Sequence, residues 1–110
     1  MSTDYTYFAD LSSETGQVPG DSILSRTLYA DDQVKVILFG FAAGQELSEH
    51  TASMPAILHV LEGKGRLTLG GDSQSAGPGT WVRMPAWLKH SLLAETRVVM
   101  LLLLMSGDAS

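Results

Sequence analysis

The hydrophobic residues of this chain fall in short segments, and turn-forming residues separate them at intervals of about eight to twelve positions. Val34 to Phe41 is rich in β-branched and aromatic residues, which are typical of strands. No stretch has a sustained helical period with capping residues at its ends. Many short strands at this spacing predict an all-β sandwich or small barrel. The predicted strands cover residues 23–29, 34–41, 56–62, 65–69, 80–84, 89–94 and 97–105.

The last of these segments, Val98 to Met105, is apolar at every position. A strand that is buried on both faces has this pattern. A buried helix is the competing interpretation, but the run is short and begins with two valines, which favours a strand. One face of the strand would line the interior, and the other would be covered by the N-terminal arm or by a partner subunit.

Residues 1–22 are predicted to form an N-terminal arm, and residues 23–110 a single domain. The arm is polar and too short to fold alone, but it carries Tyr5, Tyr7 and Phe8. These aromatic side chains would pack on the domain or on a neighbouring subunit. A frayed terminus is the alternative.

The composition excludes several classes of partner. The formal net charge is −5 and the seven Lys and Arg residues form no run, so neither nucleic acid nor an anionic membrane is an expected partner. The chain has no Cys, which excludes disulfides and thiolate metal sites. The start of the chain lacks the basic and apolar regions of a signal peptide, which predicts a cytoplasmic protein. Charged residues are only 17% of the chain, and together with the apolar last strand this favours a homodimer.

Three histidines are the candidate chemical groups. His59 lies within an apolar run, where a polar side chain is costly unless it has a partner. Side chains alternate across a strand, so His59 faces either the interior or the outside, and the sequence leaves both orientations open. His50 ends a polar segment that follows Gly44, and His90 lies shortly after Pro85.

The spacing of these residues resembles the two motifs of the cupin superfamily. The first cupin motif begins with glycine, five residues and histidine, and ends with glycine; Gly44, His50 and Gly63 match it. The second has glycine, five residues, proline and a later histidine, which Gly79, Pro85 and His90 match in register. The resemblance covers about residues 34–104. It implies a cupin (RmlC-like, jelly-roll) β-barrel in which His50 and His90 project into the barrel.

The chain departs from the cupin motifs at the other usual ligand positions. The second histidine of the first motif falls at Ala52, and its glutamate at Ala56 or, with the longer spacing, at Ile57. The asparagine of the second motif falls at Ala94. Cupins with the full set bind a transition metal. The resemblance therefore implies a reduced or variant site for one divalent metal (Zn, Fe, Ni or Mn) on His50 and His90, with His59 as a third ligand if it faces inward, and no organic cofactor.

Two further side chains complete the predicted ligand pocket of His50, His59, Met84, Trp87 and His90. Trp87 replaces a small residue in the loop before His90, so it either forms a wall of the ligand site or packs against the rim or a subunit. Met84 precedes that loop, and a methionine there is more often a core filler than a ligand for Cu(I).

These observations leave three functions open. The leading one is the binding of a small, mostly apolar or aromatic molecule in the cavity. The second is a metal-dependent enzyme, such as a dioxygenase, isomerase or decarboxylase, that uses three histidines. The third is a metal-free isomerase or epimerase in which a histidine is the general base.

Overall fold

The computed structural model describes residues 4–106 as two antiparallel sheets with one short 3₁₀ helix. The first three residues of the predicted arm and the last four of the predicted domain lie outside the described residues. The 3₁₀ helix is Ser12–Thr15. The strands are β1 (Ile23–Ala30), β2 (Val34–Phe41), β3 (Glu46–His50), β4 (Ala56–Glu62), β5 (Gly65–Leu69), β6 (Asp72–Ala76), β7 (Trp81–Met84), β8 (His90–Ala94) and β9 (Val98–Met105).

The strands form a five-stranded sheet in the order β1-β2-β9-β4-β7 and a four-stranded sheet in the order β3-β8-β5-β6. All recorded pairs are antiparallel. The all-β prediction is therefore confirmed. Within residues 4–106 the interior is enclosed by two sheets that pack face to face, and no helix is long and apolar enough to cross a membrane.

The sequence pattern did not predict two of the strands, and both lie at an edge of the four-stranded sheet. Strands β3 and β6 are the outermost members of this sheet, and most of their side chains are exposed. An edge strand that solvent surrounds does not need the alternation of apolar and polar residues that marks a half-buried strand. The polar sequences Glu-Leu-Ser-Glu-His and Asp-Ser-Gln-Ser-Ala consequently gave no strand signal.

The core lies between the two sheets. From the five-stranded sheet it takes alternate residues of β4, Ala56, Leu58 and Val60, and from the four-stranded sheet it takes Leu67 and Leu92. Each is almost fully buried. Burying a large aliphatic side chain stabilises the fold by about 1.5–3 kcal/mol, so this interface is the main source of stability.

Strand β9 is apolar throughout because both of its faces are covered over part of its length. Val98 and Met100 pack in the core between the sheets. Val99 points to the opposite face and is nevertheless fully buried, although it is not part of that core. The buried-strand interpretation of this segment is confirmed.

The described part of the N-terminal arm covers Gly40 on the outer face of the five-stranded sheet. A Cβ atom at Gly40 would lie 2.7 Å from Cγ2 of Val18 and 3.5 Å from Cγ2 of Thr15, so only glycine allows the arm to lie this close. The Arg26 guanidinium anchors the 3₁₀ helix through an ion pair with Glu14, with 3.1 Å between Nη1 and Oε1. The arm therefore lies along its own domain between Thr15 and Val18.

Candidate functional site

His50 and His90, the two histidines of the sequence motifs, meet at one end of the interior. His50 is the last residue of β3 and His90 the first of β8, and the two are direct partners across the antiparallel pair. Their ring centroids are 4.2 Å apart, with 57° between the ring planes. His90 is 7% exposed, whereas His50 is open to solvent. The cross-strand register thus places one buried and one exposed imidazole side by side.

Backbone carbonyls determine which ring nitrogen of each histidine carries its proton. Nδ1 of His50 lies 2.8 Å from the Ser48 carbonyl oxygen, and Nδ1 of His90 lies 2.9 Å from that of Leu88. A carbonyl oxygen only accepts hydrogen bonds, so each Nδ1 donates. In the neutral form, each Nε2 then has a lone pair on the opposite edge of the ring. No described residue hydrogen-bonds to either Nε2.

A small apolar cavity adjoins the pair. Its volume is about 90 Å³. The lining consists of the two histidines, Ser91 and seven apolar side chains: Phe39, Leu47, Leu58, Leu67, Leu92, Met100 and Leu102. A water molecule occupies roughly 30 Å³ in the liquid, and pockets that enclose a drug-sized ligand measure roughly 300–1,000 Å³. The cavity is therefore large enough for a few heavy atoms and too small to enclose a drug-sized ligand.

Burial lowers the pKa of His90 below its ordinary value, because an imidazolium is poorly solvated between the sheets. The hydrogen bond to Leu88 offsets part of this effect, and charge on the neighbouring His50 lowers the pKa further. His90 is therefore neutral at pH 7, with its Nε2 lone pair available.

This lowered pKa predicts a loss of stability in mild acid. As the pH falls below about 6.5, the unfolded chain protonates this histidine before the folded protein does, so the free energy of unfolding decreases until the pH reaches the folded-state pKa. Urea unfolding at pH 7 and at pH 5.5 measures the effect. A His90→Leu variant should lose less stability over this interval. Equal losses in the two proteins would contradict the assignment.

His59 is separated from the pair by the orientation of its strand. The core side of β4 carries Ala56, Leu58 and Val60, and His59 alternates with them. It pairs with Trp81 on the outer face of the five-stranded sheet. The structure thus does not bring His59 together with the other two histidines, and the inward orientation that a three-histidine site needs is not adopted.

Met84 and Trp87 also lie outside the cavity lining. Met84 is almost fully buried in the core. Trp87 is 67% exposed and has a φ of 71°, a left-handed conformation that is rare for a non-glycine residue. Its backbone N–H donates to the Ala52 carbonyl at 2.7 Å, which ties the loop before His90 to the segment after His50. Trp87 therefore lies on a loop that connects the two histidine strands.

The sequence pattern did not predict the apolar lining of the cavity, because the lining residues occupy alternate positions in strands of both sheets. Phe39, Leu58 and Met100 lie in β2, β4 and β9, and Leu67 and Leu92 in β5 and β8. The inward side of each strand could have been predicted from its period, but which inward residues leave a gap depends on how the sheets pack.

The donors at this site do not fit a metal held by three protein side chains. Within residues 4–106, no group of three or more His, Cys, Asp or Glu residues is placed to hold a metal ion. The pair supplies two imidazole nitrogens, whereas catalytic zinc sites usually have three protein ligands. At two positions where the motifs imply further ligands, the chain has Ala52 and Ala56, and Ala56 is buried in the core.

Comparisons with known proteins agree with the motifs. Curated proteins give no match to the chain. Among solved structures, a conserved protein of unknown function from Streptococcus pyogenes is 26% identical, with a TM-score of 0.81 over 97% of this chain and 93% of that chain. A cupin superfamily protein from Desulfitobacterium hafniense is 22% identical, with a TM-score of 0.81 over 92% of this chain and 93% of that one. A Cupin 2 conserved barrel domain protein from Leptotrichia buccalis is 28% identical, with a TM-score of 0.77 over 84% of this chain and 45% of that one. Residues 37–105, well over half of the chain, match the family model described as the cupin domain, and the chain therefore belongs to the cupin family.

Proposed function

We propose that this cupin binds one polar, hydrogen-bond-donating end of a small apolar or aromatic molecule through Nε2 of His50 and His90, without a resident metal ion. The observation that carries the proposal is the pair of Nδ1–H bonds to the carbonyls of Ser48 and Leu88. They leave both Nε2 atoms free to accept hydrogen bonds beside an apolar cavity.

The chemistry of the cavity favours a ligand that carries a hydrogen-bond donor over one that does not. The lone pair on Nε2 of neutral His90 can accept a hydrogen bond from a ligand. A hydroxyl group would donate this hydrogen bond, whereas a purely apolar ligand would not. The leucine and methionine side chains around the pair would contact the apolar carbons next to that group.

The size of the cavity supports binding by one end. A volume of about 90 Å³ accepts a few heavy atoms, so the rest of the ligand would lie towards the solvent side, where His50 is exposed. The loop that carries Trp87 is tied to Ala52 close to this opening. An exposed tryptophan there would cover the projecting part of an aromatic ligand.

The neutral state of His90 also favours a second candidate function, a metal-free isomerase or epimerase. The Nε2 lone pair that accepts a hydrogen bond could equally accept a proton as a general base. The metal-dependent alternative has less support, because His59 faces away from the other two histidines. A cytoplasmic location forms part of the same proposal.

Phenol and its methyl ether, anisole, test the proposal because only phenol has an O–H donor. Phenol should raise the melting temperature in a saturable way, and a hundredfold excess over its dissociation constant corresponds to about 2.7 kcal/mol. Anisole should have little effect. His90→Leu should abolish the phenol effect, and His59→Leu, the same change on the outer face of the five-stranded sheet, should preserve it.

Two results would contradict the proposal. Equal stabilisation by phenol and anisole would show that the histidines accept no hydrogen bond from the ligand. Elemental analysis that finds one equivalent of a transition metal in the purified protein, lost in His90→Leu, would show that the pair holds an ion instead.

A further inference from the structure

Trp87 has a backbone conformation that only glycines otherwise adopt in the described part of the chain. Its φ is 71°, and every other positive φ recorded between residues 4 and 106 belongs to a glycine. The left-handed region is strained for a bulky residue, and such strain is concentrated at ligand clamps and other functional sites. Glycine would adopt the same turn without strain, so the fold itself does not require a tryptophan at this position.

One backbone hydrogen bond fixes the loop of Trp87 relative to both histidines. The N–H of Trp87 donates to the Ala52 carbonyl at 2.7 Å. Ala52 follows His50 by two positions, and Trp87 precedes His90 by three. Because His50 and His90 are direct cross-strand partners that line the cavity, this bond brings the loop to the end of the cavity where His50 is exposed. The indole therefore extends from a backbone position at the opening.

The indole of Trp87 is available to a ligand. The residue is 67% exposed, and no hydrogen bond within the described residues engages its Nε1. A tryptophan that only supported the fold would bury most of its surface. An exposed aromatic face beside a pocket opening is instead a surface on which a planar group stacks.

We propose, on the basis of the proposed function, that Trp87 determines the specificity of the pocket and selects a phenol with a second planar ring para to the hydroxyl. The hydroxyl donates to Nε2 of His90, the first ring occupies the cavity and its opening, and the second ring stacks on the indole. A cavity of about 90 Å³ accepts only a few heavy atoms, so a ligand with two rings must project beyond it.

The tethered backbone prepares Trp87 for this contact. Besides the bond to Ala52, the N–H of Leu88 donates to the Pro85 carbonyl at 3.3 Å and closes a turn around Trp87. The ligand then has to order only the two side-chain torsions of the indole, because the backbone that carries it is already held.

Stacking is strong enough to decide between ligands of similar size. An aromatic pair improves affinity by about two- to tenfold beyond the effect of the area that it buries. A saturated ring of similar size buries a comparable area but has no aromatic face. The difference in affinity between a planar and a saturated second ring therefore isolates the contribution of the indole.

Para-phenylphenol and para-cyclohexylphenol provide this comparison, since both carry the same hydroxyl and first ring. We expect calorimetry to show that the wild-type protein binds para-phenylphenol about threefold to tenfold more tightly. Trp87→Leu should bind the two compounds equally, and Trp87→Phe should retain most of the preference. Trp81→Leu, the same change at the other tryptophan, should leave the preference unchanged, because Trp81 lies on the outer face of the five-stranded sheet.

The outcomes separate this inference from the proposed function. Equal affinity of the wild type for both compounds, with both affinities lost in His90→Leu, would overturn the role of Trp87 and leave the proposed function standing. A preference that persists in Trp87→Leu would also overturn it. Binding of neither compound would overturn both proposals.

Two further variants test whether the backbone at Trp87 is strained for the sake of its side chain. Trp87→Ala and Trp87→Gly both remove the indole, but only glycine adopts a φ of 71° without strain. We expect both variants to lose the preference for para-phenylphenol, and Trp87→Gly to have a folding equilibrium constant about fivefold larger than that of Trp87→Ala. Equal stability of the two variants in urea would show that the position carries no strain and would remove that support from the proposal.

Discussion

Replacing Gly63 with alanine is expected to lower the free energy of unfolding by about 3–5 kcal/mol. Gly63 follows β4 and has a φ of 89°, where an alanine costs about 1–2 kcal/mol. An added Cβ would also overlap the carbonyl oxygen of Arg97 and lie 2.9 Å from Cα of Val98. Because the obstacle is backbone at the start of β9, it moves only if the central strand of the five-stranded sheet shifts.

Substitutions at two other glycines separate the cost of the backbone conformation from the cost of the close contact. Gly79 has a φ of 91° but nothing within 4 Å of an added Cβ, so Gly79→Ala should cost only the backbone conformation, about 1–2 kcal/mol. Gly71 has neither constraint, and its replacement should change stability by less than about 0.5 kcal/mol. Urea unfolding of the three variants gives the comparison. If Gly63→Ala and Gly79→Ala cost the same, the close approach to Arg97 contributes nothing.

Phe41→Ala should destabilise the protein by about 3–5 kcal/mol, a large part of the roughly 5–15 kcal/mol that keeps a domain folded. Phe41 is fully buried in the core at the end of β2. Its ring centroid lies 6.1 Å from that of Phe39, which lines the cavity. Truncation removes the apolar contacts of one ring and leaves a void beside the other, because the two sheets cannot close over the gap.

The measurement is the urea midpoint of Phe41→Ala, with Phe41→Leu as the matched variant that keeps most of the volume. The leucine variant should lose less than about 1.5 kcal/mol. An unchanged dependence on urea concentration would show that only stability has changed. The interpretation fails if alanine and leucine cost the same, since the effect would then not depend on the volume removed.

Strands that contain apolar or aromatic residues were predictable, and the two polar edge strands of the four-stranded sheet were not. Strands β2, β4 and β9 carry alternating or continuous apolar residues because the packing of the two sheets requires them. Strands β3 and β6 have no such requirement at the edges of the four-stranded sheet. The edge strand β3 nevertheless carries His50, and only the resemblance to the cupin motifs drew attention to it.

The orientation of His59 illustrates a second limit of sequence. The direction of its side chain depends on which alternate residues of β4 face the core, and a shift of one residue reverses every side chain. The two motif spacings allowed both parities. The packed structure selects the one in which Leu58 and Val60 enter the core, since the opposite parity would bury an imidazole and expose both of these residues.

The size of the cavity depends on contacts that no single segment contains. Its walls come from six strands that are far apart in sequence, and a gap of about 90 Å³ is a small difference between large volumes. The close contact of His50 with His90 likewise follows from the β3–β8 register, which brings together residues separated by forty positions.

The position of β9 has a consequence for how the protein forms during synthesis. This strand lies between β2 and β4, so the central member of the five-stranded sheet leaves the ribosome after the other four strands of that sheet. Until residue 105 has emerged, β2 and β4 each present an unpaired edge and an uncovered apolar side, which other nascent chains could pair with. The growing chain can form the β1–β2 hairpin early, but the sheet closes in a single late step.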